Sequence, residues 1–231
     1  MPTVLVAGAN RGLGLEFVRQ YAADGARVIA GVRDPAKADE LNEIAKASGG
    51  AITVHKLDTA DDGSVSAFKA KVGDQPVDIL LAVAGVMGGD RQQQLGDIDF
   101  AEWMRTLSVN TLGPARLADA FVDNLRAGQE KKLVAITSGM GSTSESSGGY
   151  FAYRSSKAAL NNVVRNLSIA LRDDRIVCVA LNPGWVKTDM GGAGAHITPE
   201  QSIAAMKERI ARYTMADTGR FLSWDGKQFG W

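Results

Sequence analysis

Six short aliphatic, β-branched runs recur along this chain, at 3–7, 27–32, 52–57, 77–83, 133–137 and 176–181, and each is continuous rather than alternating. A strand apolar on successive residues is covered on both faces, the condition of a parallel sheet held between two helix layers. Longer amphipathic stretches fall between the runs, at about 11–23, 35–47, 61–73, 99–126, 153–172 and 199–214. Strand followed by helix, repeated, is a series of βα units. Helix starts are punctuated accordingly: Asp34-Pro35, Asp61 and Thr198-Pro199-Glu200 each offer a capping side chain, two of them with Pro in the first turn. A last short strand is expected at 220–224, before the turn Asp225-Gly226. The predicted fold class is therefore α/β, a Rossmann-type doubly wound parallel sheet of about seven strands with helices on both faces.

Composition narrows the function classes. No linker, low-complexity tract or repeat divides the 231 residues, so residues 1–231 read as one domain. Lys plus Arg number 26 against 26 Asp plus Glu, with no basic block, which argues against nucleic acid or an anionic membrane as partner and for a small molecule. Two histidines and one cysteine are too few for a metal cluster or an internal disulfide, and Cys178, inside an apolar run, reads as an inert core thiol. The chain enters its first strand at once and has no apolar run of 18 residues, so a cytoplasmic location is expected.

The first strand runs into Gly8-Ala9-Asn10-Arg11-Gly12-Leu13-Gly14 and then a helical stretch. Glycines there permit a tight strand-to-helix turn and let a pyrophosphate approach the helix N-terminus, whose free N–H groups and dipole attract anions. No Gly-Lys-Ser/Thr follows, which disfavours a P-loop nucleotidase. Tyr153 and Lys157 lie four apart in a second helical stretch and share one face. A phenol beside a cation is an acid–base candidate, because the cation stabilises phenolate. A serine hydrolase would need a Gly-x-Ser-x-Gly elbow and a late histidine in a triad, and no such pentapeptide occurs.

The glycine spacing, Leu57-Asp58, Asn110, Ser138 with Tyr153-Arg154-Ser155-Ser156-Lys157, and Asn182-Pro183-Gly184-Trp185-Val186-Lys187-Thr188, in that order, resemble the short-chain dehydrogenase/reductase family, single-domain type. The stretch from Pro183 through Asp189-Met190-Gly191-Gly192 and the ending Gly219-Arg220-Phe221-Leu222-Ser223-Trp224-Asp225-Gly226 are similar to its C-factor and sniffer-like carbonyl reductases. The resemblance implies an NADPH-dependent oxidoreductase that reduces a small ketone, aldehyde or quinone. It makes Tyr153 the proton donor, Lys157 its tuner and a ligand of the nicotinamide ribose, Ser138 the group that orients the carbonyl, and Asn110 part of a water-linked relay to Lys157. Bringing the phenol near neutral pH takes about 4 kcal/mol, which Lys157 and an oxidised nicotinamide together would supply in a dry cleft.

For the cofactor, the resemblance implies contacts from Gly8, Asn10, Arg11, Gly12, Leu13 and Gly14, from Asp58 to the adenine, from Ala84 and Gly85 to the ribose, and from Pro183, Gly184, Val186 and Thr188 to the nicotinamide end. Asp58 also reads as a turn or capping aspartate. Arg33 ends the second strand where an acidic residue would bind both ribose hydroxyls, and with Arg11 it suits a 2′-phosphate, so NADPH is expected over NADH. Met87, Met140, Phe151, Trp185 and Met190 are the expected apolar pocket walls, beneath a short substrate lid at about 188–204.

Two departures stand out: Ala7 and Ala82-Val83-Ala84-Gly85 replace the family's usual Thr and Asn-Asn-Ala-Gly, so apolar contact is expected where relatives have a polar link. Leu117, Phe121, Val164 and Leu167 lie outside a single stripe on stretches 114–125 and 158–171, which with the resemblance suggests a homodimer or homotetramer. The second functional reading is an NADP(H)-binding sensor or signal of C-factor type with incidental turnover. No long C-terminal domain follows Pro183, as an extended sugar-nucleotide epimerase would require.

Overall fold

A computed structural model of the protein describes residues 1–89, 93 and 95–231. Its strands are β1 Thr3–Ala7, β2 Arg27–Val32, β3 Ile52–Lys56, β4 Ile79–Ala82, β5 Lys132–Ile136, β6 Val177–Asn182 and β7 Phe221–Ser223. All pair in parallel, in the order β3-β2-β1-β4-β5-β6-β7. The helices among the described residues are α1 Gly12–Ala23, α2 Asp39–Ala47, α3 Asp62–Val72, α4 Phe100–Leu107, α5 Gly113–Ala127, α6 Phe151–Ala170 and α7 Pro199–Arg212.

Side chains alternate across a strand, and the two sets build two cores. Val4, Val6, Val28, Ala30, Ile79, Leu81, Val134 and Val179 pack with Phe17 and Val18 of α1, Leu41 of α2 and Ile203, Met206 and Ile210 of α7. Leu5, Ile29, Leu80, Leu133, Cys178 and Ala180 pack on the other face with Val65 and Phe68 of α3, Leu117 and Phe121 of α5 and Leu160 and Val164 of α6. Each fully buried Leu or Phe contributes about 1.5–3 kcal/mol of transfer free energy. Burial also pushes the Cys178 thiol up to about 12, as suits an inert core residue.

Leu117, Phe121 and Val164 are therefore core residues, and Leu167 packs partly buried against the same cluster. They widen the apolar stripes because α5 and α6 touch neighbours in their own layer as well as the sheet, so the width of the stripes is explained within one chain. The predicted helix 99–126 is interrupted by a π turn at Ser108–Leu112, between α4 and α5. Residues 199–204, expected in the lid, form the start of α7, which Thr198 opens with a capping box to Gln201. Because every strand runs the same way, the loops after β1, β2, β4, β5 and β6 meet at one edge. The chain order reverses there between β1 and β4, the position where open α/β sheets bind ligands.

Candidate active site

At that edge lies a cleft of about 990 Å³, at the top of the roughly 300–1,000 Å³ range of small-molecule pockets. It brings together Gly8, Asn10, Arg11, Gly12, Leu13, Gly14, Arg33, Asp58, Ala84, Gly85, Met87, Ser138, Met140, Tyr153, Lys157, Pro183, Gly184, Trp185, Val186, Thr188 and Met190. Two expected residues lie elsewhere. Phe151 is not a cleft wall: its ring packs against Trp103, 6.2 Å between centroids. Asn110 is fully buried behind the cleft, where its Oδ1 accepts from Val86 N and its Nδ2 donates to Val86 O and Ser156 Oγ. A Cβ on Gly85 would lie 3.5 Å from Asn110 Oδ1 and 3.6 Å from Lys157 Nζ, so both flank Gly85. The polar atoms of Asn110 are engaged with Val86 and Ser156, and its side chain shows no bond to Lys157.

The glycine loop is shaped by close backbone approach. Gly8 has φ +95°, and a Cβ there would come 2.7 Å from Ala84 N; a Cβ on Gly14 would come 2.0 Å from Gly8 O. Only glycine allows α1 to start this close to β1. Arg11 is the N-cap residue of α1 but its side chain does not cap it, so the first N–H groups are left for an anion. The polar link expected to be missing is replaced by backbone: Val83 N and Ala84 N both donate to Ala7 O, at 3.0 and 2.9 Å, beside the apolar Ala7–Ala82 pair. Arg33 is exposed at the end of β2, whereas Arg11 forms an ion pair with Asp189 at 2.7 Å, from the glycine loop to the loop after β6. Asp58 Oδ1 accepts from Ala60 N, so this residue is a turn aspartate that also lines the cleft. The residues present fit a dinucleotide: a glycine cradle that a Cβ would fill, a helix N-terminus and two guanidiniums.

At the other end, β5 stops at Ile136 and its exit loop is tied down at several points. Thr137 Oγ1 donates to Asn161 Oδ1, Asn161 Nδ2 to Gly141 O, and Gly139 N to Asn182 Oδ1. Ser138, held in this loop, lies beside the Tyr153 phenol in the cleft, and its Oγ accepts from Met140 N at 3.2 Å. Burial pushes that phenol up, against a smaller downward pull from Ser138. Lys157, almost fully buried, donates through Nζ to Ile136 O at 2.8 Å, and Nζ sits 5.8 Å from the centroid of the Tyr153 ring. Desolvation brings this ammonium down to about 8. The lowered phenol expected from Lys157 is thus not a property of the protein alone, since burial raises it. The phenol holds its proton at neutral pH, as a proton donor must, with a cation buried behind it.

Several cleft residues escaped the sequence reading, among them Thr137, Tyr150, Arg154, Lys187 and Asp189. For two of them a signal existed: Tyr150 and Arg154 share the helical stripe of Tyr153 and Lys157, at i, i+3, i+4 and i+7.

A family model described as short chain dehydrogenase matches residues 2–196. The C-signal of Myxococcus xanthus is 42% identical over 166 residues, covering 71% of this chain and 99% of that protein. Among solved structures, the NADPH-bound carbonyl reductase from chicken fatty liver is similar with a TM-score of 0.93 and 32% identity, covering 100% of this chain and 99% of the other. The carbonyl reductase Sniffer of D. melanogaster is similar with a TM-score of 0.91 and 29% identity, covering 100% of both chains. None of the helices among the described residues is long and apolar enough to cross a membrane.

Proposed function

The chain belongs to the short chain dehydrogenase family and is an NAD(P)-dependent oxidoreductase, and we propose that it reduces a small ketone, aldehyde or quinone to the alcohol with NADPH. The observation that carries this reading is that Ser138, the buried Tyr153 and Lys157, and the glycine cradle line one cleft. When bound, the dinucleotide supplies a hydride to the carbonyl carbon. Tyr153 gives its phenolic proton to the carbonyl oxygen, so one carbonyl, one hydride and one proton make one alcohol, and solvent restores the proton. Ser138 Oγ orients the carbonyl oxygen, and the Lys157 ammonium stabilises the phenolate left behind. Arg33 reads the 2′-phosphate. Asn110 acts by holding Val86 and Ser156 around Lys157, and the segment 188–198 covers the bound substrate.

A second reading is favoured by the likeness to C-signal: a protein that binds NADPH and reports its occupancy, with turnover incidental. One pair of measurements separates them. NADPH and NADH are titrated against the fluorescence of the protein, with Trp185 in the cleft as reporter, and NADPH oxidation is then followed over a panel of carbonyls. The reductase reading expects tighter NADPH binding, turnover that needs a carbonyl, and a Tyr153→Phe variant whose kcat falls about 10²–10⁴-fold while its Kd for NADPH moves less than about threefold. Tight binding without turnover of any carbonyl selects the second reading, and no binding of either nucleotide refutes both.

A further inference from the structure

The reductase reading gives no role to Arg154, which lines the cleft one residue beyond Tyr153. Its Nη2 donates to Ser147 Oγ at 2.7 Å, and its Nε–H is buried without an acceptor. Among the described residues no carboxylate pairs with it, whereas Arg11, also in the cleft, has Asp189. Arg154 is half-buried, with its Nη2 bond at the exposed side and its Nε–H buried and unpaired, and a planar fork of N–H groups matches a carboxylate in two parallel bonds.

The 2′-phosphate of the dinucleotide is not its partner. Arg33 follows β2 and Arg154 lies beside the end of β5; β1 and β4 stand between those strands. Three strand spacings are roughly 14 Å, so the two guanidiniums serve opposite ends of the cleft. The surroundings of Arg154 hold it in place. Ser147 precedes Gly148 and Gly149, both at positive φ, and Tyr150 follows in the left-handed region at φ 50° and ψ 43°. A tyrosine is rarely found there, and the kink brings Ser147 onto the guanidinium while Tyr150 joins Arg154 on the cleft side of α6. Elsewhere the cleft is lined by the apolar Met87, Met140, Trp185 and Met190.

We propose that Arg154 recognises a carboxylate on the substrate, so that the preferred substrates are carbonyl compounds bearing an acid group. This deepens the reductase reading and rests on it. Successive helix residues point about 100° apart, so the carbonyl at Tyr153 and the acid at Arg154 are met from two different directions in one cleft.

The test compares 4-formylbenzoate with its methyl ester, one ring with and without the charge, by NADPH oxidation in the wild type, Arg154→Gln and Arg154→Lys. The wild type is expected to favour the acid in kcat/KM by about tenfold or more, Arg154→Gln to cut that ratio by about 10–100-fold, and Arg154→Lys to retain part of it. A wild-type ratio of one or less, or the same ratio in Arg154→Gln, overturns the proposal while leaving the reductase reading intact. If neither aldehyde is reduced, the reductase reading is left to the wider carbonyl panel, and the NADPH-loaded protein is titrated with 4-methylbenzoate and 4-methylbenzamide by fluorescence. Acid-selective binding that Arg154→Gln abolishes then sustains the role of Arg154, and its absence overturns it.

Discussion

Lys157 is expected to destabilise the cofactor-free protein, and replacing it by Met should make the fold more stable while abolishing turnover. Its ammonium is almost fully buried, bonds one backbone carbonyl, Ile136 O, and titrates at about 8 instead of 10.5. That difference is worth about 3 kcal/mol against the charged form. Below pH 8 the group is charged in both folded and unfolded chains, so the whole penalty is present. Between about 8 and 10.5 the unfolded chain binds more protons than the folded one, so stability rises with pH and the penalty fades. Met fills similar space without charge, and orphaning Ile136 O gives back about 1 kcal/mol. Lys157→Met should therefore gain about 2 kcal/mol at pH 7. Urea unfolding of both proteins without nucleotide at pH 7 and pH 9.5 measures this. Because 9.5 lies about three-fifths of the way from 8 to 10.5, the gap between the two proteins should shrink by about 2 kcal/mol. A variant less stable at pH 7, or a gap equal at both pH values, would refute the argument that desolvation dominates at this site. The confirmed result would instead mark a residue kept for chemistry at the expense of stability.

Gly14→Ala places a Cβ 2.0 Å from the backbone oxygen Gly8 O, so thermal melting should show a loss of about 1–3 kcal/mol or more together with weaker NADPH binding; a wild-type melt would mean that α1 does not start this close to β1. Arg33→Asp should weaken NADPH by about tenfold or more and leave NADH equal or better, as read from paired KM values; an unaltered NADPH-to-NADH ratio would move the reading of the 2′-phosphate to Arg11, released from Asp189.

Strand positions were legible because a sheet covered on both faces writes continuous apolar runs. Runs 3–7 and 27–32 coincide with β1 and β2, while 77–83 shortens to Ile79–Ala82. The shortening has a local cause: Asp78 spends its carboxylate on Thr3 N and Gln129 N, and Val77 N bonds Asn124 O, so these residues anchor β4 from below. The glycine loop and the Tyr153–Lys157 pair were legible because their spacing reflects backbone geometry, whereas Ser138, with Thr137 and Ser142 close by, was legible only through the family resemblance. Pairing across the tertiary structure was not. Phe151 sits two residues before Tyr153 and was expected beside it in the cleft, but at the start of α6 its ring turns to Trp103 on α4. The width of the stripes around Leu117 and Val164 records neighbouring helices in the same layer, which single-helix periodicity cannot tell from a subunit contact. Arg154 marks the same boundary from the other side. Its place on the stripe of Tyr153 follows from counting residues, but its significance lies in the absence of a carboxylate opposite it among the described residues, and that is a fact about partners distant in sequence. A charge is ordinary in a helix and becomes informative only once the fold shows what faces it.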